Sequence, residues 1–147
     1  MSINEIPLIV MVDDRTSDLE INQFALEKIV PDAIIKGFLC GKEVLNYLKQ
    51  EKEKGRIPDL ILVDLQMPTM SGLEVIHEIK TQLQINSPTI AFSSSSLPEN
   101  AIQAKKNGAE DFFVKPLTFK KNIDCFSLIL KRYMSKVAPK QNISPAT

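Results

Sequence analysis

Acidic side chains stand directly after two apolar runs of the sequence, where a buried strand would end. The run at residues 60–63 is followed by Asp64, and the run at residues 7–12 is followed by Asp13 and Asp14. Short apolar runs between turn signals are typical of strands buried on both faces. In open α/β sheets, ligands bind at the carboxyl ends of the strands, which is where these three carboxylates are expected.

Carboxylates gathered at one point repel one another, so they either take up protons or bind a cation. Their oxygen atoms suit Mg²⁺, which prefers octahedral geometry and keeps some of its water. Lys115 follows another predicted strand, at residues 111–114, and would bring a second positive charge to the same edge. A phosphoryl group needs such positive centres on its oxygens. Asp64 could then attack phosphorus as a carboxylate nucleophile and form an aspartyl phosphate.

Apolar runs alternate with stretches of helical pattern along the whole chain. The strands are expected at residues 7–12, 33–39, 60–63, 88–92 and 111–114, and the helices at residues 18–30, 41–54, 73–83, 98–107 and 119–136. This alternation favours a parallel sheet covered by helices on both faces, and right-handed crossovers leave few topologies. We predict an α/β, doubly wound, five-stranded parallel sheet with five helices, in the flavodoxin-like order 2-1-3-4-5.

Capping patterns predict where two of the helices begin. Ser17 with Glu20, and Ser71 with Glu74, have the S-x-x-E spacing of a capping box, in which each side chain accepts a hydrogen bond from a free backbone N–H. Gly72 is expected where the backbone needs angles that other residues resist.

The composition argues against several broad classes of protein. The formal net charge is zero, so nothing draws the chain as a whole to nucleic acid or to an anionic membrane. No apolar run approaches the roughly 20 residues that span a bilayer, and residues 1–5 lack the features of a signal peptide. We therefore expect a cytoplasmic protein with no nucleic-acid partner and no membrane partner. Cys40 and Cys125 are expected to be buried free thiols.

The length of the chain bounds its domain organisation. A chain of 147 residues has the usual size of one domain and can bury a core. We expect one domain at residues 6–136, followed by a disordered tail at residues 137–147.

One stretch resembles the D-x-x-M-P-x-M-x-G-x-E pattern of response-regulator receiver domains. The matching residues are Asp64, Met67, Pro68, Met70, Gly72 and Glu74. The resemblance extends from about Leu8 to Met134. It implies a signalling phosphoacceptor of a two-component phosphorelay that takes its phosphoryl group, with Mg²⁺, from a histidine kinase or phosphotransfer protein. It does not imply an enzyme that turns over a substrate.

The resemblance also implies how the acidic group is used. Asp64 matches the phosphoacceptor. Asp14 matches a direct metal ligand, and Asp13 a residue that acts on the metal through water. The main-chain carbonyl of Gln66 matches a further metal ligand.

Three other positions match the family. Ser93 matches the hydroxyl residue that bonds the phosphoryl group, and Lys115 matches the invariant lysine, which precedes a cis bond to Pro116 in typical members. Phe112 matches the aromatic switch position, where tyrosine is commoner. Ser94 stands where the family often has alanine.

Only about a dozen residues follow the last predicted helix, too few for an effector domain. We therefore expect the signal to reach an unknown downstream protein by a non-covalent contact. The resemblance places this contact on the fourth helix, fifth strand and fifth helix, at about residues 98–134, with a route from Asp64 through Ser93 to Phe112. Homodimer formation is left open.

Two other functions compete with this interpretation. A Mg²⁺-dependent phosphohydrolase acting through an aspartyl phosphate is the main alternative. Such enzymes need a D-x-D motif whose second Asp serves as the general acid-base. Gln66 occupies that position, and its amide cannot transfer a proton in this way. A nucleotide-binding module would want a G-x-G-x-x-G motif or a P-loop, and the sequence has neither.

Overall fold

Strands and helices alternate strictly in the computed structural model, which describes residues 6–134. The strands are β1 (Leu8–Val12), β2 (Ile34–Phe38), β3 (Leu60–Asp64), β4 (Thr89–Ser93) and β5 (Asp111–Val114). The helices are α1 (Thr16–Ile29), α2 (Gly41–Glu53), α3 (Gly72–Thr81), α4 (Pro98–Lys106) and α5 (Phe119–Tyr133). The predicted tail at residues 137–147 lies outside the described residues. No helix within them is both long and apolar enough to cross a membrane.

The strands form one parallel sheet in the order β2-β1-β3-β4-β5, which confirms the predicted topology. Val12 of β1 is in register with Val63 of β3, so Asp13 and Asp64 follow from neighbouring strand ends. β1, β3 and β4 are buried along their whole length, whereas β2 is a half-exposed edge strand.

Two apolar layers cover the sheet. On one face, α2, α3 and α4 pack against alternate strand residues such as Val10 and Val12. On the other face, α1 and α5 pack against the intervening residues, such as Ile9 and Met11. This two-sided burial explains why the central strands are apolar throughout.

Only one of the two predicted capping boxes forms. At the start of α3, Ser71 Oγ accepts a hydrogen bond from the Glu74 N–H (3.3 Å), and Glu74 Oε1 accepts one from the Ser71 N–H (2.9 Å). The prediction at Ser17 is wrong because α1 already begins at Thr16. The chain turns earlier, since Asp13 Oδ1 accepts a hydrogen bond from the Arg15 N–H (3.0 Å).

Gly72 has a different role from the predicted one. It is absent from the residues with positive φ, so its backbone angles are ordinary. A β-carbon at Gly72 would instead lie 2.7 Å from the α-carbon of Leu65, too close for any side chain. Glycine therefore allows α3 to begin directly against the end of β3, next to Asp64.

Two further expectations need correction. Both cysteines are free, but neither is fully buried. Cys40 is exposed because it lies at the junction of β2 and α2, and Cys125 is half-buried. The Lys115–Pro116 bond is trans, as are the other described peptide bonds. An X–Pro bond favours trans by about 0.5–1 kcal/mol, so the dipeptide alone does not dictate the cis form seen in typical members.

Candidate functional site

Carboxylates from two neighbouring strand ends meet at the carboxyl edge of the sheet. One oxygen each of Asp13, Asp14 and Asp64 lies within 4.8 Å of the others. Asp13 and Asp64 are each only 3% exposed, whereas Asp14 is open to solvent. The prediction that these three carboxylates lie close together is confirmed.

The environment of Asp64 disfavours its charge. Burial, followed by the nearby charge of Asp13, raises the pKa of Asp64 to about 6, against the opposing effects of Lys115 and the Gln66 N–H. Oδ1 of Asp64 lies 3.4 Å from that N–H. Asp64 is therefore largely ionised at neutral pH, but the ionised form is held at some cost in free energy.

Lys115 joins three carboxylates. Its Nζ lies 2.9 Å from Asp13 Oδ2 and 3.0 Å from Asp18 Oδ2, both as hydrogen bonds, and 3.4 Å from Asp64 Oδ1. Burial alone would lower the pKa of Lys115, but the bonds to Asp13 and Asp18 outweigh it and raise the pKa. The ammonium therefore stays charged.

The main chain fixes where Lys115 leaves the sheet. Its N–H donates to the Ser93 carbonyl (2.8 Å), which continues the pairing of β4 and β5 to their ends. Sequence reasoning missed the contact with Asp18. The available signal was an acidic residue one helical turn after the Asp13–Asp14 pair, on the helix that follows the same strand.

Ser93 is fully buried one residue beyond Phe92, the register partner of Asp64. Its hydroxyl donates to Gln66 Oε1 (2.9 Å), and the Ser94 N–H donates to the same oxygen (3.1 Å). The Ser95 N–H donates in turn to Ser93 Oγ (3.0 Å). Gln66 was predicted for its main-chain carbonyl, and this contact of its side chain was missed.

Phe112 is half-buried on β5 and packs against the apolar layer of α2, α3 and α4. It pairs in register with Ala91, while Ser93 pairs with Val114. Phe112 therefore lies two residues before the carboxyl edge, away from the level of Ser93.

A cavity of about 310 Å³ adjoins the acidic group between α1 and the start of α5. Asp18, Asp64 and Lys115 line its polar end, and Ile21 and Phe119 are among its apolar lining residues.

The donor set fits a hard divalent cation. Asp13, Asp14 and Asp64 offer only oxygen ligands, which suit Mg²⁺, Mn²⁺ or Ca²⁺, whereas zinc sites usually include nitrogen or sulfur. No described histidine or cysteine joins this group.

Fold and site together define a phosphoacceptor signalling domain, and the chain belongs to the response regulator receiver domain family, whose family model matches residues 9–125. Receiver domains of two-component systems accept phosphoryl groups from histidine kinases, bind a divalent metal at an acidic pocket and act on downstream partners. The family gives no support to the phosphohydrolase alternative.

Among solved structures, the chain is similar to the phosphorylated cyanobacterial phytochrome response regulator RcpA. The TM-score is 0.78 at 25% identity, covering 90% of this chain and 96% of that chain. The Mn²⁺-bound form of response regulator Rcp1 shares the fold, with a TM-score of 0.74 at 24% identity over 89% of this chain and 96% of that one.

Curated relatives include regulatory protein LuxO of Vibrio vulnificus, 33% identical over 72% of this chain and 22% of that protein. Transcriptional regulatory protein ZraR of Klebsiella oxytoca is 33% identical over 77% of this chain and 24% of its own length. The chain thus spans less than a quarter of the length of either relative.

Proposed function

We propose that Asp64 is the phosphoacceptor of this receiver domain and that it takes a phosphoryl group from a histidine kinase or phosphotransfer protein. The observation that carries the proposal is the meeting of three carboxylate oxygens within 4.8 Å, beside a lysine 3.4 Å from Asp64. Only Asp64 among the three carboxylates has both the family motif after it and a position on a central strand.

The reaction is an in-line displacement at phosphorus. An oxygen of Asp64 attacks, the bond from phosphorus to the donor nitrogen breaks, and its electron pair stays on the imidazole. Lys115 would hold one phosphoryl oxygen, and the Ser93 hydroxyl would leave Gln66 to donate to another. An aspartyl phosphate results.

Mg²⁺ is the proposed cation, held by Asp13, Asp14, Asp64 and the main-chain carbonyl of Gln66. When bound, it supplies the positive charge that lets an anionic phosphoryl group approach an acidic site. The oxygen-only donor set supports it, as does the Mn²⁺-bound form of Rcp1.

Replacing Asp14 by alanine should weaken the binding of Mg²⁺ sharply in a titration, and unchanged affinity would place the metal elsewhere.

The proposed output surface is the face at residues 98–134, contacted by an unknown downstream protein in the cytoplasm. Exposed Ile102 (61%), Val114 (44%) and Leu128 (40%) support an apolar contact there. The signal would pass from Asp64 through Ser93 to Phe112, whose ring is already half-buried and has an apolar layer to enter.

The test is intact-mass measurement after incubation with acetyl phosphate and Mg²⁺. We expect one added phosphoryl group in the wild type, none in Asp64→Asn, and a normal level in the matched control Asp32→Asn, whose carboxylate is exposed. Equal labelling of Asp64→Asn would refute the assignment. Sustained release of phosphate from a small phosphate ester would instead favour the phosphohydrolase.

A further inference from the structure

Asp18 contacts the site lysine but has no role in the reaction described so far. It lies in the first turn of α1, and its Oδ2 is 3.0 Å from Lys115 Nζ. That is as close as the contact with Asp13 (2.9 Å) and closer than the contact with Asp64 (3.4 Å). The side chain is 30% exposed and lines the same cavity as Asp64.

The three contacts of Lys115 cannot all persist during phosphoryl transfer. The lysine ammonium has three donors on a flexible stem, and it must turn one of them to the phosphoryl group. The cation proposed above draws on the carboxylates of Asp13 and Asp64. Among the described residues, Asp18 is the one partner of Lys115 outside the proposed metal ligands, so its hydrogen bond can last throughout the transfer.

We propose that Asp18 is a positioning residue for phosphoryl transfer, whose oxygen anchors the Lys115 ammonium beside Asp64 while the other carboxylates serve the cation. This inference rests on the proposed function of Asp64. Its chemistry is that of a charge-assisted hydrogen bond, which restricts a flexible side chain before the phosphoryl group arrives.

A purely structural role for Asp18 predicts different behaviour. A carboxylate in the first turn of a helix interacts favourably with the helix dipole, and Asp18 also lies 3.8 Å from Arg15 Nε. If these contacts were its whole role, replacing Asp18 would change the stability of α1 and leave Lys115 and the phosphorylation rate unchanged.

The first experiment compares Asp18→Ala with Asp18→Asn, because asparagine keeps the accepting oxygen and removes the charge. With acetyl phosphate and saturating Mg²⁺, we expect phosphorylation to slow at least about tenfold in Asp18→Ala and to stay within about threefold of wild type in Asp18→Asn. The control Glu20→Ala removes an exposed acid from the same helix and should leave the rate unchanged. A wild-type rate in Asp18→Ala, or an equal loss in both Asp18 variants, would overturn the proposal.

The second experiment needs no phosphoryl donor and uses saturating Mg²⁺, which on this proposal engages Asp13 and Asp64 and leaves Asp18 as the partner of Lys115. The ¹⁵N NMR signal of the Lys115 ammonium should be resolved in the wild type, because hydrogen bonds slow the exchange of its protons. It should be lost or strongly shifted in Asp18→Ala and retained in Asp18→Asn. An unchanged signal in Asp18→Ala would overturn the anchor. Failure of Asp64 labelling with an intact anchor signal would instead refute the phosphoacceptor assignment alone.

Discussion

The two edges of the sheet use carboxylates in opposite ways. At the amino edge, Asp59 Oδ2 accepts the Leu8 N–H (2.8 Å), and Glu110 Oε1 accepts the Thr89 N–H (2.7 Å). Glu110 also pairs with Lys80 (3.2 Å). Each of these two acids accepts a hydrogen bond from a backbone N–H at the start of a strand.

At the carboxyl edge, four carboxylates of the described residues lie near the ammonium of Lys115. Asp13, Asp18 and Asp64 all face Lys115, and Asp14 adjoins them. Negative charge there exceeds positive charge, and part of it is buried. Asp59 and Glu110 at the amino edge stabilise the fold through their contacts, whereas the buried charge of Asp64 at the carboxyl edge is held at the expense of stability. Removing the charge of Asp64 and removing the charge of Asp59 should therefore change stability in opposite directions, and only the first effect should respond to Mg²⁺.

Replacing the lysine of the site should have the largest effect on stability. Lys115→Met leaves Asp13 and Asp64 buried without a counter-charge, so we expect the free energy of unfolding at pH 7, in chelator, to fall by about 2–4 kcal/mol. The loss should shrink toward pH 5, as Asp64 takes up a proton, and on adding Mg²⁺. Urea denaturation measures it, with exposed Lys120→Met as the control. A loss independent of both pH and Mg²⁺ would contradict the electrostatic account.

Removing the charge of Asp64 should have the opposite sign. Because its pKa is raised to about 6 in the folded protein, the proton on Asp64 favours folding below the ordinary carboxyl pKa. That advantage is lost as the pH rises through 6. Asp64→Asn should therefore raise the free energy of unfolding at pH 7 in chelator by about 1–3 kcal/mol, with a smaller gain near pH 4.

The matched substitution at the amino edge sharpens this test. Asp59→Asn should lower the free energy of unfolding by about 0.5–1 kcal/mol, since a charged acceptor for the Leu8 N–H becomes a neutral one. If both asparagine variants shifted stability in the same direction, the contrast between the edges would be wrong.

Glu110→Ala tests the amino edge by itself. The buried Thr89 N–H loses its acceptor, and Lys80 loses its partner, so we expect a loss of about 1–2 kcal/mol in thermal or urea unfolding. Mg²⁺ should not change this loss, because the proposed cation site is at the other edge. Glu99→Ala, on the exposed first turn of α4, is the control. A Mg²⁺-dependent loss would mean that the edges are not independent.

An effect as small as that of Asp59→Asn is expected at Gln66. Gln66→Ala removes the acceptor shared by the Ser93 hydroxyl and the Ser94 N–H, but water can reach Ser94, so the loss should be about 0.5–1 kcal/mol. The amide NMR signals of Ser94 and Ser95 should shift clearly, whereas they should not shift in Gln82→Ala, at the C-terminal end of α3. Unmoved signals would show that the Gln66 contact does not form in solution.

The sequence predicted the site to the extent that topology determines it. Parallel strands end at one edge, so acids after β1 and β3 had to meet once the order 2-1-3-4-5 was inferred. Asp18 and the side chain of Gln66 escaped prediction because their roles depend on rotamers and on how α1 is inclined, which no periodicity encodes. The prediction of a capping box at Ser17 is wrong for a related reason. The hydrogen bond from the Arg15 N–H to Asp13 lets α1 begin before Ser17. At Gly72 the pattern identified the residue and missed the cause, because close approach depends on tertiary packing.

The place of each strand in the sheet has a consequence for motion. β3 has a neighbour on both sides, whereas β5 pairs only with β4 within the described residues. Shifting β3 would therefore break two ladders of hydrogen bonds, while shifting β5 with the adjoining Lys115 would break one. Amide hydrogens of β5 should accordingly exchange with solvent sooner than those of β3. The proposed nucleophile Asp64 is thus on the strand held from both sides, and Lys115, proposed to hold a phosphoryl oxygen, follows the strand held from one side.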